Sequence, residues 1–118
     1  MGQALKPTAL VVEDDEMQRS LVATLLEECD MHVIECESAE AALIVLSEVP
    51  LSLIYTDVNL AGTMTGIELA TLAKKKFPNL DIIISSGIPR MNLPLNTVFM
   101  QKPWLPLDLL RHAGTALH

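Results

Sequence analysis

Leu53-Ile54-Tyr55-Thr56-Asp57 is a short apolar run that closes on a single carboxylate. An aliphatic and β-branched run ended abruptly by an acid predicts a buried strand whose last residue emerges at a sheet edge. Leu10-Val11-Val12 runs the same way into Glu13-Asp14-Asp15, and Ile82-Ile83-Ile84 into Ser85-Ser86-Gly87. Val98-Phe99-Met100 leads into Gln101-Lys102-Pro103. In an open α/β sheet, ligands bind outside the carboxyl ends of the strands. Set parallel, these four runs bring acids, a hydroxyl and an amine to one rim.

The intervening segments carry helical periodicity. Strands are predicted at 8–13, 32–36, 51–56 (delivering Asp57), 81–85 and 97–101. Helices are predicted at 16–29, 39–48, 67–77 and from Pro106 to near His118, after a loose leader at 1–6. Asp15 and Ser38 are suitable N-caps, and Pro106 suits a first helical turn. On the first helix, Met17, Leu21, Leu25 and Val22, Leu26, Cys29 form adjoining apolar rows. Ala42, Leu43 and Leu46 are expected to face inward on the second, and Ile67, Ala70 and Ala73 on the third. Leu109, Leu110, Ala113 and Leu117 are the inward set of the last. Pro89, Asn92, Pro94 and Asn96 leave little room for regular helix between the last two strands. Strand–helix alternation with short connections predicts one domain over 1–118, an α/β, flavodoxin-like (βα)5 doubly wound parallel sheet. The order 2-1-3-4-5 places the first and third strands side by side at the switch point.

Composition narrows the function. Half of the 118 residues are hydrophobic but only 3% aromatic, as suits an aliphatic core between helices. A net charge of −7 argues against direct nucleic-acid binding and against anionic lipid. No apolar run is long enough to span a bilayer and no signal pattern opens the chain, so a cytoplasmic protein is expected. Cys29 and Cys36 have neither CxxC nor zinc spacing and read as small buried or half-buried thiols in a reducing compartment.

Glu13, Asp14 and Asp57, brought together, would raise one another's pKa values. A divalent cation removes that conflict, and an all-oxygen set suits Mg²⁺. Asp15 and Glu16 are better read as capping and solvated. A carboxylate beside Mg²⁺, a hydroxyl and a lysine is what an aspartyl-phosphate centre requires: the carboxylate attacks phosphorus while cations neutralise the transferring oxygens.

Taken together, these residues resemble a response-regulator receiver domain of two-component signalling, over about 8–117. Val11-Val12-Glu13-Asp14-Asp15-Glu16 followed by Arg19 is similar to the acidic-pair motif, with Glu13 and Asp14 as the pair. Asp57-Val58-Asn59 resembles the phosphoacceptor motif. The resemblance implies that Asp57 takes the phosphoryl group and that Asn59 offers its backbone carbonyl to Mg²⁺. Ser86-Gly87 is similar to the hydroxyl-plus-small-residue motif, and Lys102-Pro103 to the lysine and its cis-proline turn. Phe99 falls at the aromatic switch position. The resemblance further implies that Ser86 moves to donate to the phosphoryl group and vacates space for Phe99.

A histidine kinase or phosphotransfer protein is the implied donor, docking on the first helix around Gln18, Val22 and Leu25. The implied function is signalling, with the domain assisting its own phosphorylation and dephosphorylation, rather than enzymatic. Ile88, two after Ser86, offers no group to orient water, which implies slow dephosphorylation. Two features depart from the family. Sixteen positions separate Ser86 from Lys102, so the fourth helix is expected to be short, irregular or missing. The loop 61–65 is about one residue longer than the family's and lacks proline. The alternative is a pseudo-receiver, an interaction module that takes no phosphate, against which Asp57, Asp14, Ser86 and Lys102 are all present. An aspartyl phosphohydrolase lacks its second acid, since position 59 is Asn, and a flavin binder lacks a phosphate loop after the first strand.

Overall fold

The apolar runs are continuous, not alternating, because they are inner strands of a parallel sheet covered on both sides. In the computed structural model, which describes residues 6–90 and 92–116, nine elements follow in order. They are β1 (Thr8–Val12), α1 (Glu16–Glu28), β2 (His32–Cys36), α2 (Ala39–Glu48), β3 (Leu53–Asp57), α3 (Gly66–Lys76), β4 (Asp81–Ser86), β5 (Thr97–Gln101) and α4 (Pro106–Ala116). The strands form one five-stranded parallel sheet ordered β2-β1-β3-β4-β5. This is the doubly wound, flavodoxin-like arrangement expected from the sequence.

Alternation along each strand divides the core in two. Leu10, Val12, Ile54, Ile82 and Ile84 face α2 and α3, where Ala42, Leu46, Leu69, Ala70 and Ala73 meet them. Ala9, Val11, Leu53, Tyr55 and Ile83 face α1 and α4, against Val22, Leu25, Leu26, Leu109 and Ala113. Each fully buried Leu or Ile removes enough apolar surface to contribute about 1.5–3 kcal/mol. The helices are pinned where polar side chains meet free backbone N–H groups. Asp15 accepts from Gln18 N at 2.8 Å and Ser38 from Ala41 N at 3.1 Å. Thr65 and Glu68 form a reciprocal capping box at the start of α3.

Several sequence expectations need correction. Met17 and Leu21 are 83% and 51% exposed, so of their row only Leu25 belongs to the core. At about 100° per residue, Val22, Leu25 and Leu26 centre the buried arc of α1, and Met17 and Leu21 fall outside it. Leu69 is the large buried side chain of α3, whereas Ile67 is only partly covered, and α3 opens at Gly66 with Phe77 as its C-cap. Leu43 and Leu110 are likewise partly covered. β1 ends one residue short of Glu13, although Glu13 N–H still bonds Cys36 O at 3.0 Å. β3 begins at Leu53, and β4 extends to Ser86 because pairing with β5 continues through Gln101. Residues 1–5 of the leader, Leu117 and the end of the last helix at His118 lie outside the described residues.

Between β4 and β5, no helix forms among the described residues of 87–96. Prolines 89 and 94 cannot donate to a helical ladder. Asn92 and Asn96 take φ values of 60° and 62°, the left-handed conformation that asparagine tolerates best. Thr97 Oγ1 donates to Pro94 O at 2.7 Å and closes the segment against β5.

Candidate functional site

The carboxyl ends of β1, β3 and β5 bring Glu13, Asp57 and Lys102 to one point. All three continue the alternation that faces α1, so they converge under the first turn of that helix. Lys102 Nζ lies 3.0 Å from Asp57 Oδ1 and 3.0 Å from Glu13 Oε1. It also donates to Gln18 Oε1 on α1. An ammonium has three protons to donate, and each has an acceptor. Glu13 is 2% exposed and Asp57 9% exposed, whereas Asp14 is open to solvent.

The second oxygen of Glu13 accepts Asp15 N at 3.1 Å. Burial pushes the Glu13 carboxyl above its ordinary range, and the Asp15 N–H and Lys102 oppose it only in part. Burial pulls the Lys102 ammonium the other way, but hydrogen bonds to Glu13 and Asp57 and their charges outweigh it, holding its pKa above the ordinary lysine value.

One oxygen each from Glu13, Asp14 and Asp57 lies within 4.8 Å of the others, the spacing of a group able to share one cation. The donors are all oxygen, which fits Mg²⁺ and excludes a thiolate or imidazole site. Asn59, the expected carbonyl donor, follows directly as an exposed residue of the loop after β3.

Ser85 is the β4 partner of Asp57, and Ser86 stands one residue beyond it, buried at 2% exposure. Ser86 Oγ accepts Ile88 N at 3.2 Å. Phe99 pairs with Ile84 and is half-buried against the α2–α3 side of the core, the side to which Ser86 belongs by alternation. A Cβ at Gly87 would meet nothing within 4 Å, so packing does not demand glycine there. The Lys102–Pro103 peptide is cis.

Three features escape a reading of the sequence. Trp104 Nε1 donates to Ser85 Oγ at 3.1 Å, Ser85 Oγ donates to Met100 O at 2.9 Å, and the Trp104 ring meets Tyr55 edge-on at 6.0 Å. Arg19 donates to Glu13 O at 3.0 Å and pairs with Glu35 at 3.4 Å, fixing the backbone that carries the acidic pair. Glu40 Oε2 accepts Thr63 N, Thr63 Oγ1 and Met64 N at 3.0–3.2 Å and ties down the loop after Asp57. Trp104 carries a signal in its type, the sole tryptophan, close after the candidate site lysine, whereas the partners of Arg19 and Glu40 depend on tertiary placement. Of the docking residues expected on α1, Val22 and Leu25 are core, and Gln18 is exposed.

Comparison with known proteins identifies the family. The profile of the response regulator receiver domain matches residues 9–96. The chain is 32% identical over 107 residues to the response regulator receiver protein CpdR of Brucella abortus, covering 86% of this chain and 88% of that protein. It is 29% identical over 92 residues to an NtrX-like response regulator of Rickettsia bellii, covering 77% of this chain but only 19% of that longer protein. A response regulator receiver protein from Sinorhizobium medicae superposes with a TM-score of 0.89 at 20% identity, over 95% of this chain and 94% of that one. The receiver domain of the hybrid histidine kinase CckA superposes with a TM-score of 0.81 at 26% identity, over 94% and 99% of the two chains. The chain belongs to the response regulator receiver domain family of two-component systems.

Proposed function

We propose that Asp57 is the phosphoacceptor, taking its phosphoryl group from a phosphohistidine on a histidine kinase or phosphotransfer protein. The observation that carries this reading is the 3.0 Å approach of Lys102 Nζ to Asp57 Oδ1 beside the Glu13–Asp14–Asp57 oxygen cluster. A carboxylate oxygen of Asp57 forms the new bond to phosphorus as the phosphorus–nitrogen bond breaks, and that bond's electron pair returns to the histidine. Lys102 neutralises charge on the transferring oxygens, and its salt bridges hold it on the rim until they arrive. Glu13, Asp14, Asp57 and the Asn59 carbonyl are the residues that would hold Mg²⁺, which when bound would supply further charge neutralisation to the transfer. Ser86, whose hydroxyl donates to no acceptor among the described residues, then donates to the phosphoryl group. Its movement opens the space beside Phe99, a packing change that carries the signal outward.

The histidine-bearing partner docks beside Lys102. Met17 and Leu21 are exposed there on α1, with Leu105 and Leu107 exposed beyond Trp104. Beside Lys102 lies a cleft of about 210 Å³ lined by Gln18, Leu21, Tyr55 and Trp104 among others. These residues replace Val22 and Leu25 as the contact surface. No described helix is long and apolar enough to cross a membrane. Ile88 is 61% exposed and offers no polar group to orient water, so the aspartyl phosphate decays slowly. Release of inorganic phosphate within seconds would contradict this.

Intact-mass measurement after incubation with a small phosphodonor tests the reading. One added phosphoryl group is expected with Mg²⁺, none without it, and none in Asp57→Asn. An unmodified wild-type chain would favour a pure interaction module.

A further inference from the structure

We propose that Gln18 is a positioning residue that tethers Lys102 during phosphoryl transfer, an inference that rests on Asp57 being the phosphoacceptor. Lys102 donates to three acceptors: Glu13 Oε1, Asp57 Oδ1 and Gln18 Oε1. The two carboxylates change during the reaction. Asp57 becomes an acyl phosphate and loses its free anion, and Glu13 belongs to the oxygen cluster that suits a cation. Gln18 alone is neutral and takes no part in either change.

Its position is also independent of the sheet. Gln18 stands in the first turn of α1, where its backbone N–H donates to the Asp15 cap at 2.8 Å. A lysine side chain is a point charge on a flexible four-carbon stem, so an ammonium that lost both carboxylates would swing freely. The amide oxygen of Gln18 holds it over Asp57 while the other two protons turn to phosphoryl oxygens. A carboxylate at position 18 would compete with the phosphoryl group for the same charge, and an apolar side chain would supply no acceptor. Glutamine gives the acceptor without the charge.

The test uses the full chain and two readouts. The first is reductive methylation of lysines with formaldehyde and a borane reductant, followed by peptide mapping, with Lys74, Lys75 and Lys76 as internal references. Gln18→Met keeps side-chain length and helix propensity and is expected to raise Lys102 labelling several-fold while leaving the references unchanged. The second is the rate of phosphorylation by a small phosphodonor with Mg²⁺. Gln18→Met is expected to slow it about tenfold, the scale of one hydrogen bond to a charged group. In a Lys102→Ala background the same substitution is expected to change nothing further.

Equal Lys102 labelling in wild type and Gln18→Met would overturn the tether. An equal slowing in the Lys102→Ala background would show that Gln18 acts by another route and would overturn its role through Lys102. No adduct on the wild-type chain would overturn the phosphoacceptor reading and, with it, the part of Gln18 in transfer, while labelling still decides whether Gln18 holds Lys102.

Discussion

Trp104 Nε1 donates a 3.1 Å hydrogen bond to Ser85 Oγ, tying the residue after Lys102–Pro103 to the β4 partner of Asp57. The same indole packs edge-on against Tyr55 on β3. Trp104 therefore braces the turn that presents Lys102. Trp104→Phe keeps an aromatic ring but removes the N–H donor. It is expected to cost about 1 kcal/mol of folding stability, measured as a lower urea midpoint by circular dichroism with an unchanged slope. An unchanged midpoint would show that the bond contributes nothing.

Gly66 supports Asp57 from below. A Cβ on Gly66 would come within 1.9 Å of Asp57 O and 2.8 Å of Thr56 Oγ1. The obstacle is backbone, so the start of α3 or the end of β3 must move. Gly66→Ala is expected to destabilise the fold by about 1–3 kcal/mol, as overpacking does. It is also expected to slow phosphorylation, because Asp57, the proposed phosphoacceptor, shifts. Wild-type stability and adduct rate in this variant would show that the two segments separate at little cost.

Glu40 governs the loop after Asp57, and its effect depends on pH. Hydrogen bonds from its own backbone N–H and from Thr63 hold its carboxyl below the ordinary glutamate range. A depressed carboxylate contributes its stabilisation above its unfolded pKa and loses it as pH falls through the folded value. The Thr63 and Met64 amide resonances are therefore expected to move together, with a midpoint below the ordinary glutamate value. In Glu40→Ala those amides are expected to exchange faster at neutral pH, while Glu40→Gln keeps an acceptor and part of the protection. Titration at or above the ordinary value would contradict the clamp.

The two thiols are expected to be unreactive. Burial raises both the Cys29 and Cys36 thiols, with Glu28 adding to the first and Arg19 partly opposing the second. Thiolate is the reactive form, so alkylation by iodoacetamide should be slow at neutral pH and rise only above the ordinary thiol range. Cys36, the more buried, should be slower than Cys29. Rapid alkylation of either at pH 7 would overturn their reading as buried or half-buried thiols.

The site was legible in the sequence wherever a residue's role follows from its place at a strand end. Glu13, Asp57, Ser86 and Lys102 each close an apolar run, and parallel pairing makes those ends meet. Asp15 and Ser38 were legible as caps because capping is local. What the sequence hid depends on contacts between distant segments. Glu40 and Thr63 lie 23 positions apart, and Trp104 meets Tyr55 only after the sheet has formed. Met17 and Leu21 misled because periodicity marks an apolar stripe without saying which edge of it the sheet covers. The close fit of Gly66 against Asp57 leaves no trace in composition, since a loop glycine reads as a turn.

The most direct test of the central claim is the position of the phosphoryl group itself. Borohydride reduction converts an aspartyl phosphate to homoserine, and peptide mapping then locates it. After phosphorylation with Mg²⁺ present, homoserine is expected in place of Asp57 and at no other carboxylate. Homoserine in place of Asp14, a reduced side chain at Glu13, or no reduced residue in a chain that binds Mg²⁺ would contradict the assignment of Asp57 as phosphoacceptor.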